Sequence, residues 1–348
     1  MHNPRLTGLN AARADIDQPW EQDNQNWWDW YVSLADPGID GGAEARADAN
    51  DALQAWRARG PIPVSEDALR AELNTPYPLS EAQCHAFRSQ GYIKLKQVFS
   101  AAALDCLRAR LVDLLEIEFK ARLDGGIRDR FLSLELAWLT DPLVRAFVLS
   151  PRLGRVAAEL LGVEAVRLYH DNVLSKEPGC PRTPWHYDDH HFPLATHAVV
   201  TAWIPVQPVP TAMGPLAFAH PIDAYRLIES IPFDKFTTEY DRRIEQTFAE
   251  HAIAVDASAF ELGEVSFHHN LNCHSASGNH TGVSRLALAN TYFVDGARVV
   301  ESPTMVSGDW QKFMPGVQPG ETVCSPLNPV VWPNGKPVDL SFERKEPL

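Results

Sequence analysis

With 348 residues, 45% hydrophobic and 22% charged, the chain can bury a large core, and its 27 prolines and 20 glycines imply many turns rather than a helical bundle. A formal charge of -14 would repel a phosphate backbone and sets nucleic acid aside as a partner. There is no 18-residue apolar run and no secretory leader pattern, and five widely spaced cysteines without a CxxC pair suit reduced thiols, so a cytoplasmic protein without a membrane partner is expected.

Residues 1–80 read as an N-terminal extension, polar and helical in places, with an aromatic cluster of Trp20, Trp27, Trp28, Trp30 and Tyr31. The burial habits of tryptophan favour an anchor onto the main body over a lid across a substrate mouth. Residues 81–300 are expected to form one main domain, with 301–348 as a C-terminal extension packed on its core. From Phe87, FRSQGYIKLKQVF reads as a helix end, a glycine and an alternating strand, with Ser100 as the next N-cap. The following stretch repeats Leu104, Leu107, Leu111, Leu115 and Phe119 at helical spacing, the mark of a core-facing helix. A second helix from Pro151 to Leu161 stops at Gly162, and VRLYHDNVLSKEPG then alternates like a strand. From there to about Val300 mostly short strands and turns are expected. Helices first and strands afterwards imply an α+β plan, with helices buttressing a double-sheet jelly-roll barrel.

The chemistry centres on PWHYDDHHFPL, where His186 and Asp188 stand two apart. At a strand end that spacing points both side chains one way and Tyr187 the other. Imidazole plus carboxylate suits iron(II), and two histidines with one carboxylate leave coordination positions open. The triplet is short enough to arise by chance, so the third donor decides. Among His268, His269, His274 and His280, any one is more readily a solvated or structural residue than a ligand. His274 is singled out by Arg285, 11 residues later in the alternating run RLALANTYF, because a neighbouring strand would return a guanidinium to the same interior. There it can pair bidentately with a dicarboxylate.

These motifs resemble the phytanoyl-CoA dioxygenase family. The resemblance rests on His186-Tyr187-Asp188, His190-His191-Phe192-Pro193, Ala202-Trp203, Gly214 through His220, then His274, Asn279 and Arg285, and spans about residues 85–298. It implies a double-stranded β-helix (jelly-roll, cupin-like) core, with His186, Asp188 and His274 holding Fe(II) and Arg285 holding the distal carboxylate of 2-oxoglutarate. Asn172 and Trp203 match positions near that cosubstrate. The implied reaction consumes O2 and converts 2-oxoglutarate to succinate while oxidising a small molecule; retention of Asp188 favours hydroxylation over halogenation. Desaturation, cyclisation and epimerisation use the same set. One departure is Ala276, where the family commonly has serine two residues after the distal histidine.

A zinc hydrolase built on the same His-Asp-His set would need no anion hook such as Arg285, and a binding protein with a vestigial site would need neither. Asp189 and His190 directly follow the triplet and could reach the pocket mouth, or else orient the ligands. With the tryptophans they suit a polar or amine-bearing small molecule, while the acidic chain offers no basic cluster for the phosphates of a CoA thioester. Residue types alone leave the oligomeric state open.

Overall fold

The computed structural model describes residues 24–34, 53–232, 237–304 and 310–333; Trp20 of the aromatic cluster lies outside them. The larger antiparallel sheet takes β1 (Tyr92–Leu95), β2 (Phe131–Glu135), β3 (Val166–Lys176), β5 (Val199–Pro205), β8 (Val265–His269), β10 (Arg285–Val294) and β11 (Val330–Trp332). Their spatial order is β1-β8-β5-β10-β3-β11, with β2 also paired to β3. The smaller sheet has the order β4-β9-β6-β7, from β4 (Thr183–His186), β6 (Leu216–His220), β7 (Ala254–Asp256) and β9 (His274–Ala276). Tyr92 of one sheet stacks on Phe218 of the other at 4.6 Å between ring centroids, so the sheets face each other as a jelly roll.

Strand β10 shows how alternation divides the large sheet between two cores. Leu286, Leu288 and Tyr292 face outward into the cluster formed with the helices. Ala287 and Ala289 face inward with Trp203, Phe218 and Phe260. Outside, α2 (Glu66–Asn74), α3 (Glu81–Gln90), α4 (Ala101–Phe119), α5 (Ala137–Thr140), α6 (Pro142–Val148) and α7 (Pro151–Leu161) cover the sheet. In α4 the Ser100 hydroxyl accepts from the Ala103 N–H at 3.1 Å. Leu104, Leu107, Leu111 and Leu115 are fully buried, and Phe119 packs half-buried at the end. Each such leucine stabilises the fold by roughly 1.5–3 kcal/mol. Helix α7 starts with Pro151 and ends at Gly162, whose left-handed φ of 69° only glycine adopts at no steric cost.

The stretch expected to hold mostly short strands and turns also contains α8 (Tyr225–Ile228) and the 13-residue α9 (Thr238–Glu250). The signal for α9 was present: Tyr240, Ile244 and Phe248 stand four apart, and all three are buried. Helix α9 packs beneath β4, where Asp241 takes both the Arg182 guanidinium and the Trp185 N–H.

Helix α1 (Asn24–Leu34) lies along the edge strand β2. Gln25 donates to the Phe131 carbonyl at 2.9 Å and accepts from the Ser133 N–H at 2.9 Å, so one side chain satisfies two edge groups. Trp28 packs on Phe131, and Arg130 grips Asp29 with two bonds of 2.7 and 2.8 Å. These contacts are those of an anchor. At the other terminus β11 pairs with β3, and Trp310, Phe313 and Met314 bury against Tyr169 and Phe293.

Candidate metal centre

Strand β4 ends on His186, and the chain turns at once: Asp188 has helical backbone angles (φ -87°, ψ -11°) rather than extended ones. The two side chains therefore converge for a reason other than strand alternation. The Asn270 carbonyl accepts from the N–H of Asp188 at 2.8 Å and of Asp189 at 3.0 Å, tying the turn to the end of β8 in the larger sheet. In β9, His274 is the register partner of both His186 and Phe218. The result is a cluster in which one donor atom each from His186, Asp188 and His274 lie within 4.8 Å of one another.

The rings are set for coordination. His186 Nδ1 lies 2.8 Å from the Pro184 carbonyl and His274 Nδ1 lies 3.0 Å from the Asn272 carbonyl. A carbonyl can only accept, so each Nδ1 carries a proton, and Nε2 is the nitrogen turned toward the cluster. Both Nε2 atoms face Asp188 Oδ1, at 3.6 Å from His186 and 3.9 Å from His274. Burial holds His274 well below the ordinary histidine value. Burial works the other way on Asp188, but His274, His268 and His186 outweigh it and keep the carboxylate ionised. Neutral imidazoles around a carboxylate can hold a divalent metal such as iron(II) or zinc.

Further along the inner face of the large sheet stand two cations. Arg285 and Lys176 are direct register partners across β10 and β3, and both are buried. Both reach toward the smaller sheet: Arg285 Nη1 donates to the Gly214 carbonyl at 2.5 Å, and Lys176 Nζ to the Ser277 carbonyl at 2.7 Å. No carboxylate of the described residues pairs with either. Arg285 Nε is buried without a hydrogen-bond partner among the described residues, and the guanidinium lies 5.3 Å from the Trp203 ring. Burial pulls Arg285 down to about 10 and, with Arg285 adding repulsion, pulls Lys176 down to about 7. Between this row and the metal cluster β10 presents only Ala287 and Ala289, side chains small enough to leave room for a ligand.

The remaining expected residues take local roles. Trp203 lies inside the barrel with no partner for its Nε1 among the described residues. Asn172 is half-buried in the same row, as the register partner of Ala289, and accepts from the Ser133 hydroxyl at 2.9 Å. Asp189 Oδ1 takes the Asn270 amide and His197 Nδ1, both at 2.7 Å, and His190 Nε2 lies 2.7 Å from the Tyr187 hydroxyl. Asp189 and His190 thus brace the turn that carries Asp188. Asn279 ties its loop to the Lys176 and Val283 carbonyls. Sequence reasoning missed Lys176, Asn270 and Asn272, and weighed His268 only as an alternative third ligand. The two asparagines of HHNLNCH hold Asp188 and His274 in place from alternate positions, a pattern legible only once the third ligand is known.

The phytanoyl-CoA dioxygenase family model matches residues 87–287, more than half of the chain. The chain belongs to the phytanoyl-CoA dioxygenase family. It is accordingly an enzyme of the dioxygenase class, as the motif resemblance implied. No curated protein matches this family member. Solved structures similar to it include the non-heme alpha-ketoglutarate-dependent carbocyclase SnoK from nogalamycin biosynthesis, at 23% identity and a TM-score of 0.59 over 74% of this chain and 99% of that one. The epimerase SnoN of the same biosynthesis matches at 21% identity and 0.56, over 72% and 98%. EctD from S. alaskensis, solved with bound Fe, matches at 20% and 0.54, over 70% and 88%. The shared fold is the double-stranded β-helix expected for this phytanoyl-CoA dioxygenase family member.

Proposed function

We propose that the protein is an Fe(II)- and 2-oxoglutarate-dependent oxygenase that uses O2 to hydroxylate an unactivated C–H bond of a small molecule, releasing succinate and carbon dioxide. The observation that carries this reading is the pairing, within one barrel interior, of a His-Asp-His donor cluster on the smaller sheet with a buried guanidinium on the larger sheet that meets no carboxylate of the described residues. A buried cation without a counter-ion is costly, and an anionic ligand removes the cost. A zinc hydrolase gives Arg285 no such purpose.

The residues fit the implied groups. His186 and His274 offer lone pairs from rings fixed at their far nitrogens, and Asp188 offers an ionised oxygen, so these three would hold the iron. The iron, once bound, supplies the redox chemistry that the protein side chains lack. Arg285 and Lys176 would hold the distal carboxylate of 2-oxoglutarate, with Trp203 as a wall against the guanidinium. Val209, Met213 and Phe260, packed with Trp203, keep water from that end of the barrel.

The opposite end of the same face is polar: Thr201 and Thr291 bond to each other at 3.0 Å, and Thr291 is the register partner of His170. His170 sits against Phe313 at 4.6 Å between centroids. A natural-product substrate with polar groups on an apolar frame suits this lining better than a CoA thioester. The fold is also that of a carbocyclase and an epimerase, so desaturation, cyclisation or epimerisation are the alternative outcomes for the same residues. No described helix is long and apolar enough to cross a membrane, and the five cysteines are free thiols, in keeping with the proposed cytoplasmic location.

The test is succinate formation from 2-oxoglutarate by purified protein. Turnover that requires Fe(II) and vanishes in H186A, D188A and H274A is expected. Turnover that survives loss of all three side chains, or hydrolysis of model esters by zinc-loaded protein without 2-oxoglutarate, would overturn the assignment.

A further inference from the structure

A fourth imidazole stands beside the centre and is not one of the three clustered donors. His268, on β8, is 3% exposed and packs its ring against His274 at 4.5 Å and Phe218 at 5.8 Å. Its Nε2 lies 3.7 Å from Asp188 Oδ2, the oxygen that faces away from His186 and His274. The Asp188 carboxylate is thereby divided: Oδ1 meets the two ligand imidazoles and Oδ2 meets His268. The other ring nitrogen, Nδ1, is buried and has no hydrogen-bond partner among the described residues. A buried polar atom left unpaired destabilises a fold, and a phenylalanine of the same shape beside Phe218 would avoid that cost. The fold itself therefore gives no reason for a histidine here; the carboxylate does.

We infer that His268 is a positioning residue for Asp188, its Nε2–H holding Oδ2 so that the carboxylate presents Oδ1 alone to the metal. The inference rests on the proposed metal centre. A small rotation of either side chain brings 3.7 Å to hydrogen-bond length, and a carboxylate bonded to a neighbouring donor is fixed in orientation. With the proton on Nε2, Nδ1 is left as an acceptor for a water or for a hydroxyl or amine of the substrate, since the register partner of His268 on β5 is Thr201, in the polar row already described.

The experiment compares parent, H268F, H268Q and H274A in two measurements: Fe(II) affinity under argon and thermal unfolding of the metal-free protein. Glutamine keeps an N–H donor near the position of Nε2, while phenylalanine keeps the shape alone. The expected result is Fe(II) affinity reduced about 10- to 100-fold in H268F, on the scale of lost groups that orient metal ligands, and recovered to near the parent value in H268Q. The metal-free H268F protein should melt at or above the parent temperature. Equal Fe(II) affinity in H268F and parent would overturn the inference while leaving the centre intact. So would a lower melting temperature with unchanged affinity, the signature of a residue that only packs. If the parent binds Fe(II) no better than H274A, the centre itself is misassigned and the inference falls with it.

Discussion

The two ends of the barrel interior satisfy their charges in opposite ways. At the metal end Asp188 is surrounded by three imidazoles, each within 3.9 Å of one of its oxygens, and the two ligand rings are fixed by backbone carbonyls. At the far end Arg285 and Lys176 are more deeply buried, but their partners are the carbonyls of Gly214 and Ser277 and the Thr183 hydroxyl, which carry no charge. A site whose groups satisfy one another can be assembled before its ligand arrives, whereas a pair of uncompensated cations makes sense only with an anion in place. In the proposed function the first end holds a cation and the second a carboxylate, and Ala287 and Ala289 leave the space between them.

Four perturbations break or sharpen this contrast. The largest concerns the metal end: H186A, D188A or H274A should abolish Fe(II)-dependent succinate formation while circular dichroism stays native, and activity near the parent level in any of them would contradict the cluster. Next, R285A should weaken 2-oxoglutarate binding by about 2–4 kcal/mol, or roughly 30- to 1,000-fold, with Fe(II) affinity unchanged. An effect of R285A on the metal instead of the cosubstrate would mean that the two ends are not separable.

A smaller effect is expected at Gly214, whose carbonyl receives Arg285 and whose φ of 73° places a Cβ against the Ser277 carbonyl. Strain at G214A should cost about 1–3 kcal/mol of stability in chemical denaturation and loosen 2-oxoglutarate binding along with it. Wild-type values for both would mean that the turn is not constrained. The smallest effect is in pH dependence. Burial brings Lys176 to about 7, so the free protein loses this proton as pH rises through that value, while an anion bound beside it favours the charged form. Between about pH 7 and 9 the affinity for 2-oxoglutarate should fall by at most tenfold per unit, and K176M should flatten that slope. Calorimetry showing the same slope in both proteins would take Lys176 out of the anion site.

Much of this was readable in the chain because periodicity reports burial directly. The four leucines of α4, the Ser100 cap and the Gly162 stop lie where the sequence places them, and β10 alternates as RLALANTYF implies. The His-x-Asp motif and distal histidine were legible as chemistry, but the backbone bringing them together was not: Asp188 reaches the centre through a turn held by Asn270, a contact between residues 82 positions apart. His268 and Lys176 were hidden for the same reason. One is a histidine in a run of histidines and the other a lysine at a strand end; only cross-strand register puts the first beside Asp188 and the second beside Arg285. Helix α9 was missed although its apolar spacing was plain, because the surrounding strands set the expectation.

The most direct test of the two-ended interior is a titration of Fe(II)-loaded protein with 2-oxoglutarate under argon, followed in the visible spectrum, with H274A and R285A alongside. The account predicts a weak visible charge-transfer band in the parent, absent in H274A and shifted to much higher 2-oxoglutarate concentration in R285A. Iron bound with no such band at any concentration would contradict it.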